Sequence, residues 1–184
     1  FMNPSNFGIA MTLLLFPQVG FAPPYHFTEN LTGLWDWILP VVLLLTGIII
    51  HWFFTGRMPV VMAWVLGFIV QALCRAWYFG SPLYVPLTPM TSAAFVLFTL
   101  YMIPDPATTP LKPGRQVAFG VAVAIVYGFL QVMHLVFGLF FALVIVCAVR
   151  GIWLHIYHAF GAIEIAPGET APAPLPAGLA TVAS

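Results

Sequence analysis

An all-α integral membrane protein with about six transmembrane segments, two of them short or broken, is the fold this sequence predicts, on three observations. Of its 184 residues 62% are hydrophobic and 5% charged, where an ordinary soluble domain carries roughly 25% charged residues. Its apolar residues gather in stretches of bilayer length, a crossing helix needing about 20 of them, or ~17 at the short end. The stretches run short, long, long and again short, long, long, which divides the chain near residue 82 and suggests two three-segment repeats in inverted relation.

The first stretch, residues 6–16, is opened by Asn3-Pro4-Ser5-Asn6 and closed by Pro17, and is too short for a full crossing. Residues 38–54 and 60–79 are long enough. Residues 91–103, opened by Thr88-Pro89 and closed by Pro104-Asp105-Pro106, read as a half-helix or broken span. Residues 116–133 and 135–157 complete the set, the last tilted or protruding. Together they make a multi-span domain over residues 1–160, with repeats at 1–82 and 83–160. A faint echo supports the repeat: Ile69-Val70 precedes Arg75 and Trp77 much as Ile145-Val146 precedes Arg150 and Trp153. Residues 161–184 are rich in Ala, Pro and Gly, cannot bury a core, and are expected to be a disordered tail or an arm held by a partner. The chain opens at Phe1 with no Met, basic n-region or small-residue cleavage site, so no signal peptide is read and a fragment or processed product is expected.

Counting all six stretches as crossings places Arg57, Lys112, Arg115, Arg150, His155 and His158 on one side of the membrane. Glu29 and Asp36, in a loop without Lys or Arg, fall on the other. By the positive-inside rule the first side, with both termini, is cytoplasmic, and the membrane is read as a bacterial inner membrane. Re-entrant short stretches would erase most of that asymmetry. Arg75 is the exception, near the outer end of its span among Trp77, Tyr78 and Phe79, which suit an interfacial belt. Five Lys or Arg against five Asp or Glu leave no net charge, so nothing is available to neutralise a nucleic-acid backbone and that partner is excluded. Cys74 and Cys147 sit in apolar runs and read as small hydrophobic residues.

Asn3, Ser5, Asn6, Thr91 and Ser92 stand where the two short helices begin, positions at which side chains cap free N–H groups and the helix dipole favours a phosphate or carboxylate. The plainer reading is capping alone, since lipid supplies no water to those groups. Asp105 lies between two prolines and is followed by Thr108, Thr109, Lys112 and Arg115. A carboxylate at the mouth of a broken span holds a cation or orients a ligand; the alternative is an Asx turn paired with Arg115 at the surface. Haem or pigment would need two His on facing spans; His51 with His155 or His158 is the pair in reach, and His134 stands alone in a tight outer turn. None of these spacings is a ligation motif, so that reading is disfavoured. No Ser-His-Asp set, catalytic carboxylate pair or phosphate loop is recognisable, which argues against a hydrolase.

Phe1-Met2-Asn3-Pro4, Thr91-Ser92-Ala93-Ala94, Met102-Ile103-Pro104-Asp105-Pro106, Gly114-Arg115 and Phe119-Gly120 together resemble a known membrane family. It is the D subunit of Rnf electron-transport complexes and the related B subunit of the sodium-pumping NADH:quinone oxidoreductase. The resemblance covers roughly residues 1–155 through an Asn-Pro opening of one helix and a small-residue helix ending in Asp-Pro ahead of Gly-Arg. It implies a flavin-bearing electron-transport scaffold. Two departures stand against full transfer. The family carries a covalent flavin on a threonine in a Ser-x-Ala-Thr context after the Asn-Pro helix, whereas Thr28 and Thr32 in the loop 17–37 lie in no such context. The family also has several more spans ahead of the Asn-Pro motif.

The expected function is therefore a membrane subunit of an electron-transport or energy-transducing complex that lacks the covalent flavin motif. Asn3, Ser5, Thr91, Ser92, Asp105, Thr108 and Arg115 are its candidate cofactor-binding residues, for a non-covalent flavin or quinone if any. Its expected partners are the lipid bilayer and other membrane subunits. A non-catalytic accessory subunit of a respiratory or photosynthetic assembly is the alternative, and a small-solute or ion channel or transporter the second alternative.

Overall fold

The computed structural model describes residues 2–16, 35–135 and 137–164, and every regular element among them is helical. Thr28, Thr32, Glu29, the side chain of Asp36 and the tail from residue 165 lie outside the described residues. Contacts divide the chain after Arg150. Residues 1–150 form the unit to which the packing below belongs, and residues 151–184 form a second, described only as helix through Glu164.

Helix α1 spans Pro4–Leu15. It starts two residues before the apolar stretch because Pro4 sits at the first helical position, where its missing N–H costs nothing, and the Asn3 side chain accepts from the Asn6 N–H at 3.0 Å. Helix α2, Trp35–Ile49, contains Pro40 and continues as a wider π-helical turn over Ile50–Thr55. Gly56, at φ +60°, closes that turn, a backbone state open to glycine at little cost. Helix α3 is Met58–Phe79. A short α4, Tyr84–Leu87, and a 3-10 turn, Thr88–Thr91, lead to Ser92, whose extended backbone interrupts the helical path. Ser92 Oγ then accepts from the Phe95 N–H at 3.2 Å and opens α5, Ala93–Leu97, prolonged by a π-helical turn over Phe98–Met102. Helices α6, Pro113–Val132, and α7, Gly138–Glu164, follow, with His134 at φ +59° between them.

Among the described residues three helices are long and apolar enough to cross a membrane: Met58–Phe79, Pro113–Val132 and Gly138–Tyr157. The pair Tyr84–Thr91 and Ala94–Met102, bent by 72°, makes a fourth if it is one broken span. The stretch read from sequence at 38–54 lies on α2 and its π-helical continuation, within which Pro40–Thr55 is a shorter apolar helix. These helices are compatible with an integral membrane protein. Their outward faces agree, with Leu45, Phe53, Phe54, Val70, Ile125 and Phe129 all exposed.

Helices α3 and α6 form the closest pair. A β-carbon added at Gly120 would lie 2.7 Å from the Val60 carbonyl oxygen, and one at Gly67 would lie 2.7 Å from Ala124 Cβ. Lipid offers apolar helices no hydrophobic gain on association, so such contacts rely on small residues that let backbones approach. Beside this seam Trp64, Phe68, Phe95, Phe98 and Tyr127 interlock, with Phe68 stacked on Tyr127 at 5.4 Å and set edge-on to Phe95 at 4.8 Å. The indole N–H of Trp64, fully buried, donates to Thr99 Oγ1 at 2.9 Å, which joins α3 to the π-helical turn after α5. Ala142, Leu143 and Cys147 of α7 close the cluster.

Gly120→Ala is expected to cost about 1–3 kcal/mol by overpacking against a backbone oxygen that cannot yield. Gly114→Ala, with open space at its β-carbon, should leave the thermal midpoint in detergent essentially unchanged, and equal midpoints for the two variants would refute the close seam. Thr99→Val keeps the shape but strands the Trp64 N–H, and should lower stability by about 1–3 kcal/mol in the same assay.

Candidate functional site

The turn at 103–112 collects the polar groups of the first unit. Its prolines, Pro104, Pro106 and Pro110, deny it a continuous helix, so its carbonyls need donors from elsewhere. Some are local: the Thr108 and Thr109 N–H groups donate to the Asp105 carbonyl at 3.2 and 3.0 Å, and Thr109 Oγ1 donates to the Ile103 carbonyl at 2.9 Å. The others come from two arginines on different helices. Arg57, which precedes α3 and is only 5% exposed, donates through Nη1 to the Thr109 carbonyl at 3.2 Å and through Nη2 to the Pro106 carbonyl at 3.3 Å. Arg150 of α7 donates through Nη1 to the Thr108 carbonyl. Burial draws the Arg57 guanidinium below the ordinary arginine value, and the Asp105 carboxylate opposes that shift.

Asp105 is half-buried and uses both carboxylate oxygens. Oδ1 accepts from the Ala107 N–H at 3.1 Å in an Asx turn, and Oδ2 accepts from Asn3 Nδ2 at 3.1 Å. The start of α1 is thereby tied to the turn 102 residues later. One turn along α1 the buried Asn6 donates Nδ2 to the Phe140 carbonyl of α7 at 3.1 Å, while its Oδ1 is buried without a donor. The site contains one carboxylate with no base or nucleophile bonded to it. It is built to hold elements in register, and it offers no proton-transfer pair.

Of the seven residues read as a site, the structure brings together Asn3, Asp105 and the fully buried Thr108. Ser5 is exposed on α1. Thr91 is exposed and donates to the Thr88 carbonyl at 2.8 Å, and Ser92 caps α5 and donates to the Pro89 carbonyl at 2.7 Å. Arg115 is exposed in the first turn of α6. The two short helices therefore do not point their first turns at one place, because Asn3 meets the residue that follows the second short helix and not Ser92, which opens it.

His51 is buried with Nε2 2.6 Å from the Leu100 carbonyl and Nδ1 2.8 Å from Thr55 Oγ1. A carbonyl only accepts, so Nε2 carries the proton and Nδ1 takes the threonine hydroxyl, which leaves no lone pair for a metal. His134 is exposed in its turn and His155 is exposed on α7, while the His158 side chain lies outside the described residues. Among the described residues no three of His, Cys, Asp or Glu gather as a metal set. Arg57 and Arg150 are the site residues that sequence reading missed. Arg57 reads from sequence as an inside charge and Arg150 as an inside charge and part of the repeat echo, while their partners are backbone carbonyls that leave no trace in side-chain patterns.

Comparison of the chain with protein-family models, curated proteins and solved structures finds no match in any of the three.

Arg57→Gln removes a charged donor from two buried carbonyls and should cost about 1.5–3 kcal/mol, the range for hydrogen bonds to charged groups. Hydrogen exchange at Ala107–Leu111 should accelerate at least tenfold in that variant. Unchanged protection there would remove Arg57 from the role assigned to it.

Proposed function

We propose that the chain is a membrane subunit of an electron-transport or energy-transducing complex, with a scaffold like that of the Rnf D subunit and without its covalent flavin. The observation that carries this reading is the Asn3–Asp105 hydrogen bond. The Asn-Pro opening and the Asp-Pro turn, two separate motifs of the resemblance, meet across 102 residues at one point. In this reading the membrane is a bacterial inner membrane, both termini are cytoplasmic, and the partners are lipid and neighbouring membrane subunits.

The full reading has six crossings, with α1 and the bent pair as partial ones, in two inverted halves. Two correspondences support the repeat. Each half opens its short helix with a side-chain cap on the N–H three residues on, from Asn3 and from Ser92. Each half also turns between its last two helices through a left-handed residue, Gly56 and His134.

An accessory role within such an assembly is the second reading, and the two-arginine clamp favours it. Asp105 and the carbonyls of Pro106, Thr108 and Thr109 are engaged within the chain. A non-covalent flavin or quinone would then lie at a contact with another subunit.

Purification from the native membrane in mild detergent, with mass spectrometry of the polypeptides that travel with the chain, tests the proposal. Flavoprotein and iron-sulfur partners are expected, and Asp105→Asn should lower their recovery severalfold. Light-harvesting or respiratory partners without a cofactor would select the accessory role. An isolated homo-oligomer that moves solutes in liposomes would overturn both in favour of transport.

A further inference from the structure

A second polar place lies away from the 103–112 turn, at the C-terminal end of α3. Arg75 is four residues before the end of that helix, about 6 Å along its axis. Exposed Trp77, Tyr78 and Phe79 follow it, at 86%, 77% and 55%, as expected of a residue at the level of lipid headgroups. There Arg75 lines a pocket of about 320 Å³ with Ser81, Tyr127, Gln131 and His134 on its polar side and Phe79, Val85, Pro86 and Pro89 on its apolar side.

Arg75 lacks what a guanidinium at this depth needs. Its Nε is buried without a partner, and the side chain makes no hydrogen bond to any described residue. No acidic side chain is among the pocket's lining residues. The negative ends of the α3 and α6 dipoles, each near half a charge, account for a cation being placed here. Their carbonyls do not engage it. Ala76 O accepts the Gly80 and Ser81 N–H groups, and Phe129 O, Leu130 O and Gln131 O accept those of Met133, Leu135 and His134. A planar guanidinium without a hydrogen-bond partner among the described residues thus lines a cavity that holds further donors in the Tyr127 hydroxyl, the Ser81 hydroxyl and the Gln131 amide.

We propose that this pocket is an oxyanion site that takes a phosphate group, with Arg75 as its fork-shaped donor and the Phe79, Val85, Pro86 and Pro89 wall receiving the apolar body attached to it. A phospholipid headgroup and a soluble phosphate share this chemistry, and the headgroup has the apolar continuation that the wall fits. The inference stands apart from the complex proposed above, since it needs only that α3 crosses a bilayer.

The test uses the full chain in detergent, delipidated and then exposed either to phosphatidylglycerol or phosphatidylcholine, or to inorganic phosphate. Native mass spectrometry reads lipid retention and phosphorus NMR line broadening reads phosphate. Wild type and Lys112→Gln, which removes one exposed positive charge elsewhere, should retain phosphatidylglycerol at least tenfold better than Arg75→Gln, with Arg75→Lys in between. Phosphate broadening that depends on Arg75, without lipid retention, would assign the site to a soluble phosphate. To keep the test independent of how Arg75→Gln folds, the thermal midpoint of the wild-type protein is followed as well, and phosphatidylglycerol should raise it more than phosphatidylcholine, whose phosphate is already neutralised by its own choline ammonium. Equal retention by all four proteins, or no wild-type response to either phosphatidylglycerol or phosphate, overturns the proposal.

Discussion

The turn between α5 and α6 breaks its own helix with prolines and so leaves buried backbone carbonyls without helical donors. Two arginines supply what is missing, and the rest of the first unit is organised around the places they come from. Arg57 fixes the start of α3 relative to the turn, Arg150 fixes α7, and Asn3 brings in α1 through Asp105. A buried guanidinium left unpaired or a buried carbonyl left unmet costs free energy, so each half of this arrangement serves the other. Three separate helices are held by a segment that is itself irregular.

Close packing does the remaining work on the other side of α3. There the backbone of α6 comes near enough to α3 at Gly120 for a methyl group to collide with a carbonyl. The aromatic cluster fills the space beside that seam, and the Trp64–Thr99 bond gives its one buried indole a partner. The two mechanisms are complementary. Dispersion between small residues joins long regular helices, and charged donors join irregular backbone to helix ends.

Much of this was legible. The spans of α3 and α6 and the apolar part of α7 through Tyr157 followed from apolar runs, whereas the last turn of α7, through Glu164, runs into residues read as a disordered tail; the starts of α1 and α5 followed from Asn3-Pro4 and Ser92, because capping is local chemistry. The Asx turn at Asp105 was one of two readings made from its proline neighbours. What was not legible involves distance. Nothing in sequence marks Asn3 as the partner of Asp105, and arginines that serve carbonyls have no complementary residue to betray them. The close approach of Gly120 and Gly67 to the facing helix was not among the sequence readings.

The Arg150 contact also imposes an order in time. A chain threaded into a membrane from its N-terminus presents Asn3 and Arg57 to the 103–112 turn as soon as that turn is made, whereas the Thr108 carbonyl waits for a residue 42 positions later. During that interval the buried oxygen has to be served by water or by the insertion machinery. Completion of the turn's hydrogen bonds is thereby tied to the arrival of α7, so that a segment made earlier is satisfied by a helix made later.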